Sequence, residues 1–137
     1  MVKPLYRSIE KALLSKQIHG FVLALPESRP PFTGLIEWMD IRLGREFSRH
    51  ILKTGKITGQ AGECVYIPLH RHSQTWHFIL AGMGSSESLP AETLRNLQKN
   101  LTHLKLPTMG ASCSDLGAKN PDALEKNLKG VSLWITD

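Results

Sequence analysis

The fold is best indicated by residues 75–84, which read Thr-Trp-His-Phe-Ile-Leu-Ala-Gly-Met-Gly. The apolar run up to Ala81 has the length of a buried strand, and the glycines that follow it are typical of a turn. A helix is predicted next, because Ser88 and Pro90 are typical of a helix start and leucines recur at helical spacing through Leu101. The stretch therefore predicts a strand, a turn and a helix in succession.

Helices and strands alternate on both sides of this unit. In chain order we predict a helix over 5–17, a strand over 21–25, a proline-rich loop over 26–33, a long helix over 33–55, a strand over 63–68, the unit described above, a small-residue loop over 110–117, a helix over 121–128 and a final strand over 131–135. This alternation predicts an α/β fold. The chain has 137 residues, of which 41% are hydrophobic, so residues 1–137 are expected to form one domain.

Composition and charge limit the classes of protein to which this chain can belong. The sequence has no run of about 18 apolar residues and no basic-then-apolar start, so we expect a cytoplasmic protein without a membrane span. Cys64 and Cys113 form no CxxC pair and are expected to be reduced, buried thiols. The formal net charge of +5 favours anionic partners only mildly.

Basic residues recur at nearly helical spacing within the predicted long helix and just beyond it. They are Arg42, Arg45, Arg49, Lys53 and, past the glycine, Lys56. Basic helix faces are commonly solvated or paired with local acids. The alternative is a cationic surface that contacts the phosphates of a nucleic acid, although no base-reading motif accompanies it.

Two segments rich in small residues provide backbone amides that could hold a phosphate in an α/β fold. The candidate ligand-binding residues are Gly82, Gly84 and Ser85 in the first segment and Gly110, Ser112 and Ser114 in the second. The first segment lacks the third glycine of a dinucleotide fingerprint and the lysine of a P-loop, so a simple tight turn is the alternative.

No catalytic set is recognisable in the sequence. The histidines His70, His72 and His77 have a weak zinc-like spacing, but a turn between them makes convergence improbable. The serines have no base and acid partners in a known order, and the carboxylates are scattered. We therefore expect no catalytic residues, no metal and no cofactor.

A family resemblance rests on the spacing of glycines and charged residues between the predicted long helix and the next one. Gly55, Gly59, Gly62 and Glu63 follow the long helix, Gly82-Met83-Gly84 ends a strand, and Leu89, Glu92 and Arg95 open a helix. In order and spacing, residues 21–106 resemble the N-terminal domain of the leucyl (cytosol) aminopeptidase family. The resemblance implies a macro-domain-like, three-layer α/β/α sandwich with a mixed, mostly parallel sheet.

The same resemblance implies a chain without catalysis. The metal ligands and the catalytic lysine and arginine of that family lie in its C-terminal domain, whose motifs are missing from this sequence. The leading hypothesis is therefore a non-catalytic interaction, oligomerisation or regulatory module that pairs with itself or with a full-length aminopeptidase. If the chain is a fragment, it is the N-terminal part of a metal-dependent aminopeptidase.

Two alternatives to the interaction module remain open. Macro domains bind ADP-ribose at the carboxyl ends of their strands, which favours a module for ADP-ribose or another phosphorylated small molecule. Against it, the Asn-rich segment and glycine run of such domains are replaced by Pro-Glu-Ser-Arg-Pro-Pro at residues 26–31. The other alternative is nucleic-acid binding through the basic residues.

Overall fold

The structure is a computed structural model that describes residues 4–137. In chain order its elements are α1 (Pro4–Leu14), β1 (Gly20–Pro26), α2 (Gly34–Arg42), α3 (Glu46–Thr54), β2 (Cys64–Arg71), β3 (Gln74–Gly84), α4 (Ala91–His103), β4 (Met109–Ser112), α5 (Cys113–Leu116), α6 (Pro121–Asn127) and β5 (Leu133–Thr136). The strands form one sheet in the order β2-β3-β1-β4-β5.

Strand β1 lies at the centre of the sheet. It runs parallel to β3 along its whole length, from the pair Gly20–His77 to the pair Pro26–Gly84. Strands β4 and β5 continue the parallel arrangement on the other side, and β2 pairs antiparallel with β3. All residues of β1 before Pro26 are buried, as expected for a strand covered on both faces. The predicted mixed, mostly parallel sheet is confirmed.

Helices cover both faces of the sheet. Successive residues of β1 point to opposite faces, so each face has its own core. Phe21 and Leu23 belong to a core that includes residues of α1, α2 and α3, namely Ile9, Leu13, Ile36, Met39, Phe47 and Ile51. Val22 belongs to the opposite core, with Leu97 and Leu101 of α4, Leu116 of α5 and Leu124 of α6. The three-layer α/β/α arrangement is thus confirmed.

The predicted long helix over 33–55 is wrong, since the chain forms two helices there. Gly44 and Arg45 have φ angles of 69° and 65°, in the left-handed region that interrupts a helix. The carboxylate of Asp40, in α2, accepts hydrogen bonds from the backbone N–H groups of Phe47 and Ser48 at 2.9 and 3.2 Å and so caps α3. The apolar stripe continues across the break because both helices bury residues on the same face of the sheet.

The predicted loop over 110–117 is also wrong, because it begins inside β4 and continues into α5. Strand β4 consists of Met, Gly, Ala and Ser and therefore lacks the β-branched residues that mark strands in a sequence. A smaller difference occurs at α1, which ends at Leu14 rather than residue 17; Lys16 beyond it has a φ angle of 64°. Within the described residues, none of the helices combines the length and apolar character needed to cross a bilayer.

Candidate ligand-binding cleft

A cleft with a volume of about 240 Å³ opens at the carboxyl ends of the central strands. Its lining residues come from the ends of β1 and β3, from the start of α2 and from α5: Ala24, Pro26, Thr33, Ile36, Met83, Gly84, Ser86 and Asp115. The chain leaves β1 toward the face that carries α2, whereas it leaves β3 and β4 toward the face that carries α4 and α5. In open α/β sheets, ligands bind at such divergent strand ends.

Asp115 is the acidic side chain of the cleft. Strand β1 pairs with β4 at Phe21 and Val22, and β4 ends at Ser112, so β1 extends beyond the end of β4. Beyond that pairing, the backbone N–H of Ala24 donates a hydrogen bond of 2.9 Å to Oδ2 of Asp115. Burial raises the pKa of this carboxyl to about 6, although the Ala24 N–H acts in the opposite direction. The charge of the cleft therefore changes near pH 6.

The start of α2 provides hydrogen-bond donors at the same cleft. Thr33 is the N-cap residue, with extended backbone, but its side chain makes no capping hydrogen bond. The first N–H groups of a helix have no partner inside the helix, and together with the helix dipole they favour an anion. Thr33 and Gly34 are exposed, and Thr33 lines the cleft. An anion can thus approach these amides.

Glu37 is the acidic residue in the first turn of α2. Its Oε1 accepts hydrogen bonds from Arg45 at 2.7 Å and from the Phe32 N–H at 3.2 Å. The hydrogen bond from Arg45 is the main reason that the pKa of Glu37 is lowered. The carboxylate of Glu37 is therefore already engaged by partners of the protein itself.

Only part of the first group of predicted ligand residues lines the cleft. Gly84 lines the cleft, and Ser85 is exposed in the turn beside it. Gly82 is buried, and its N–H donates to the carbonyl of Glu63 at 2.7 Å. A Cβ at Gly82 would lie 2.1 Å from the Gln60 carbonyl oxygen, so this glycine permits the close approach of two backbone segments.

The second group lies beside the cleft rather than among its lining residues. Gly110 packs beneath the ring of Phe21. The hydroxyls of Ser112 and Ser114 both donate to the backbone oxygen of Asp137, at 2.8 Å for Ser114. Asp115, which does line the cleft, was not among the predicted ligand residues. Its position depends on the contact with Ala24, 91 residues away in the sequence, and no local motif signals that contact.

The basic residues 42–56 do not form the ridge of a single helix, because that helix is broken at Gly44 and Arg45. All three arginines of this set have acidic partners. Arg42 pairs with Glu10 through two bonds of 2.7 Å. Arg45 pairs with Glu37 at 2.7 Å and Asp40 at 3.4 Å, and Arg49 pairs with Glu46 at 2.6 Å. Lys53 and Lys56 are exposed. The proposed phosphate-binding surface stays a prediction, with much of its charge locally neutralised.

The histidines are not gathered into a metal site. Within residues 4–137, no group of three or more His, Cys, Asp or Glu side chains has a metal-binding arrangement. His72 packs against Trp76 with ring centroids 5.5 Å apart, and Nδ1 of His77 lies 2.6 Å from the hydroxyl of Tyr66. Burial raises the pKa of the Cys64 thiol to about 11, which leaves it a weak nucleophile at neutral pH.

Comparison with known proteins identifies the fold. No model of a protein family matches the sequence, and no curated protein matches it. Among solved structures, the chain is similar to the macrodomain of Thermus aquaticus DarG, with a TM-score of 0.65 and 14% identity over 91% of this chain and 93% of that chain. The macrodomain of Mycobacterium tuberculosis DarG gives a TM-score of 0.64 and 13% identity over 90% and 91% of the two chains.

A tomato leucine aminopeptidase mutant is also similar, with a TM-score of 0.61 and 12% identity. That match covers 88% of this chain but only 30% of the aminopeptidase. Fold similarity at such low identity carries no activity with it. The chain thus has an α/β fold of the macrodomain type, with a five-stranded mixed sheet between two layers of helices.

Proposed function

We propose that this chain binds a phosphorylated small molecule, with ADP-ribose as the first candidate, in the cleft at the carboxyl ends of β1 and β3. The observation that carries the proposal is the uncapped start of α2, which provides amide donors at the edge of an open cleft. The similarity to two macrodomains supports the same location. Asp115 opposes an anion when it is ionised and ceases to do so when it is protonated.

Titration with ADP-ribose, followed by calorimetry or by amide NMR shifts, tests the proposal. We expect saturable binding, with shifts confined to residues around the cleft. A Ser86→Tyr substitution fills the cleft and is expected to weaken binding by about ten-fold or more. Ser88→Tyr is the matched control, because Ser88 is exposed in the same connection but does not line this cleft. Absent binding, or equal binding by the Ser86 variant, would contradict the proposal.

The pH dependence of this binding follows from Asp115. The diphosphate of ADP-ribose keeps its charge between pH 5.5 and 7.5, whereas Asp115 loses its negative charge as the pH falls through about 6. ADP-ribose should therefore bind more tightly at pH 5.5 than at pH 7.5. Asp115→Asn keeps an oxygen to accept from Ala24 and removes the charge, so it should bind tightly at both values. A wild-type affinity that is independent of pH would contradict this role of Asp115.

An interaction module is the second candidate function. It is favoured by the exposure of Leu14 at the end of α1 and of Ile41 in α2, which are 45% and 55% exposed. Size-exclusion chromatography with light scattering should then show a defined oligomer that Leu14→Glu combined with Ile41→Glu converts to a monomer. Leu104→Glu, on an exposed leucine after α4, is the control. A wild-type monomer that also ignores a full-length leucine aminopeptidase would exclude this function.

A further inference from the structure

A second cavity, of about 160 Å³, lies far from the cleft. Trp76, the third residue of β3, lines it, so the cavity is at the amino end of the parallel strands. Leu13, Leu14, Met39 and Leu43 form an apolar wall from α1, α2 and the residue after α2. The other lining residues are charged or polar: Glu10, Arg42, Arg71 and His72. The cavity therefore combines an apolar body with a rim of charged and polar side chains.

Trp76 contributes an unpaired hydrogen-bond donor. Its side chain is only 4% exposed, and within the described part of the chain its indole N–H has no acceptor. A buried indole N–H usually finds a partner, because an unpaired buried donor destabilises the folded state. His72 packs over the ring, and Phe78 meets its edge. The ring is therefore packed between His72 and Phe78, while its N–H lacks an acceptor among the described residues.

Arg71 is the cation of this cavity whose charge is least neutralised. The guanidinium of Arg42 is held by two hydrogen bonds of 2.7 Å from its nitrogens to Glu10. Arg71 instead donates to backbone carbonyls, at 2.9 Å to His70 and at 3.5 Å to Leu43. Its acidic neighbour Glu46 lies 3.6 Å away and accepts a shorter bond, of 2.6 Å, from Arg49. Arg71 therefore retains capacity for a further anion.

We propose that this cavity binds a small organic acid, whose carboxylate is held by Arg71 and the Trp76 indole N–H and whose apolar body contacts the leucine and methionine side chains. A carboxylate suits these two donors because it accepts several hydrogen bonds and carries the opposite charge to Arg71. The size is also suitable, since an apolar cavity of about 150 Å³ holds one benzene molecule. The site is independent of the cleft at the other end of the sheet.

Titration of the full chain with benzoate and with isovalerate tests this site. The readout is the indole N–H resonance of Trp76 in a proton–nitrogen correlation spectrum, identified as the indole signal that disappears in Trp76→Phe. We expect a saturable downfield shift of this resonance with at least one of the acids. Benzyl alcohol, which has a similar body without the charge, is expected to shift it much less.

Three charge variants test how the affinity for the acid depends on the charge at and near Arg71. Arg71→Met keeps the aliphatic stem, removes the charge and is expected to weaken acid binding by about ten-fold or more, as for the loss of a hydrogen bond to a charged group. Glu46→Gln removes the acidic neighbour of Arg71 and should tighten binding. Arg95→Met is the matched control, because Arg95 is an exposed arginine of α4 on the opposite layer, and it should leave binding unchanged.

Several results would overturn the proposal. One is an indole resonance that no acid shifts while it shows magnetisation exchange with a bound water, which would assign the missing acceptor to solvent alone. Another is an equal shift by benzyl alcohol and benzoate. The third is unchanged benzoate affinity in Arg71→Met that retains a wild-type pattern of backbone resonances.

Discussion

Asp40→Ala is expected to lower the free energy of unfolding by about 3–5 kcal/mol, the range for removal of one partner from a buried charged network. Asp40 is fully buried, and its carboxylate accepts from the N–H groups of Phe47 and Ser48 and from the hydroxyl of Ser48. Alanine would leave these three buried donors unpaired and would remove the cap of α3. The Arg45 guanidinium, 3.4 Å from Asp40, would retain Glu37.

Urea unfolding followed by far-ultraviolet circular dichroism measures this effect. Ser48→Ala is the matched control, because it removes one of the three donors and should cost about 1 kcal/mol. Asp40→Asn keeps an acceptor oxygen and should fall between the two. If Asp40→Ala unfolds at the same urea concentration as Ser48→Ala, then Asp40 does not hold the junction of α2 and α3.

Gly110→Ala is expected to destabilise the fold by about 3 kcal/mol, at the upper end of the usual cost of overpacking a core. A Cβ on Gly110 would lie 2.4 and 2.6 Å from two ring carbons of Phe21 and 2.8 Å from a methyl carbon of Ile18. Both side chains are completely buried and have no open space into which to move. The backbone of β4 would have to shift away from β1.

Thermal unfolding of Gly110→Ala and Gly130→Ala separates this steric effect from the general cost of replacing a glycine. Gly130 has a φ angle of 77°, and a Cβ there would meet nothing within 4 Å, so its cost is about 1 kcal/mol and purely conformational. A loss of stability at Gly110 no larger than at Gly130 would show that β4 accommodates the methyl group.

The elements that the sequence predicts well are those with long, regular apolar patterns. Strand β1 is recognisable because five consecutive apolar residues are buried, and α4 because its leucines recur at helical spacing. The break between α2 and α3 was missed because Leu43 and Phe47 continue the apolar stripe across it. Gly44 was the available signal, as a glycine that permits a left-handed helix end.

The cleft was predictable only in part. The glycine turn after β3 was recognisable because local sequence determines where such a turn occurs, and Gly84 in that turn lines the cleft. Asp115 could not be found in that way, since β4 is too short and too poor in β-branched residues to be recognised before it. The same holds for the second cavity, whose Arg71 and Trp76 acquire meaning only when α1 and α2 pack beside β3.

The contact between Asp115 and Ala24, beyond the end of β4, has a consequence for the cost of binding. Because the Asp115 carboxylate accepts the N–H of Ala24, this stretch of β1 has a hydrogen-bond partner although β4 has already ended at Ser112. The cleft is thus open beside β1 with the Ala24 N–H already paired, and no ladder of hydrogen bonds has to be broken to form it. Binding there would spend little free energy on rearrangement, and its affinity would not be reduced by a scarce open state.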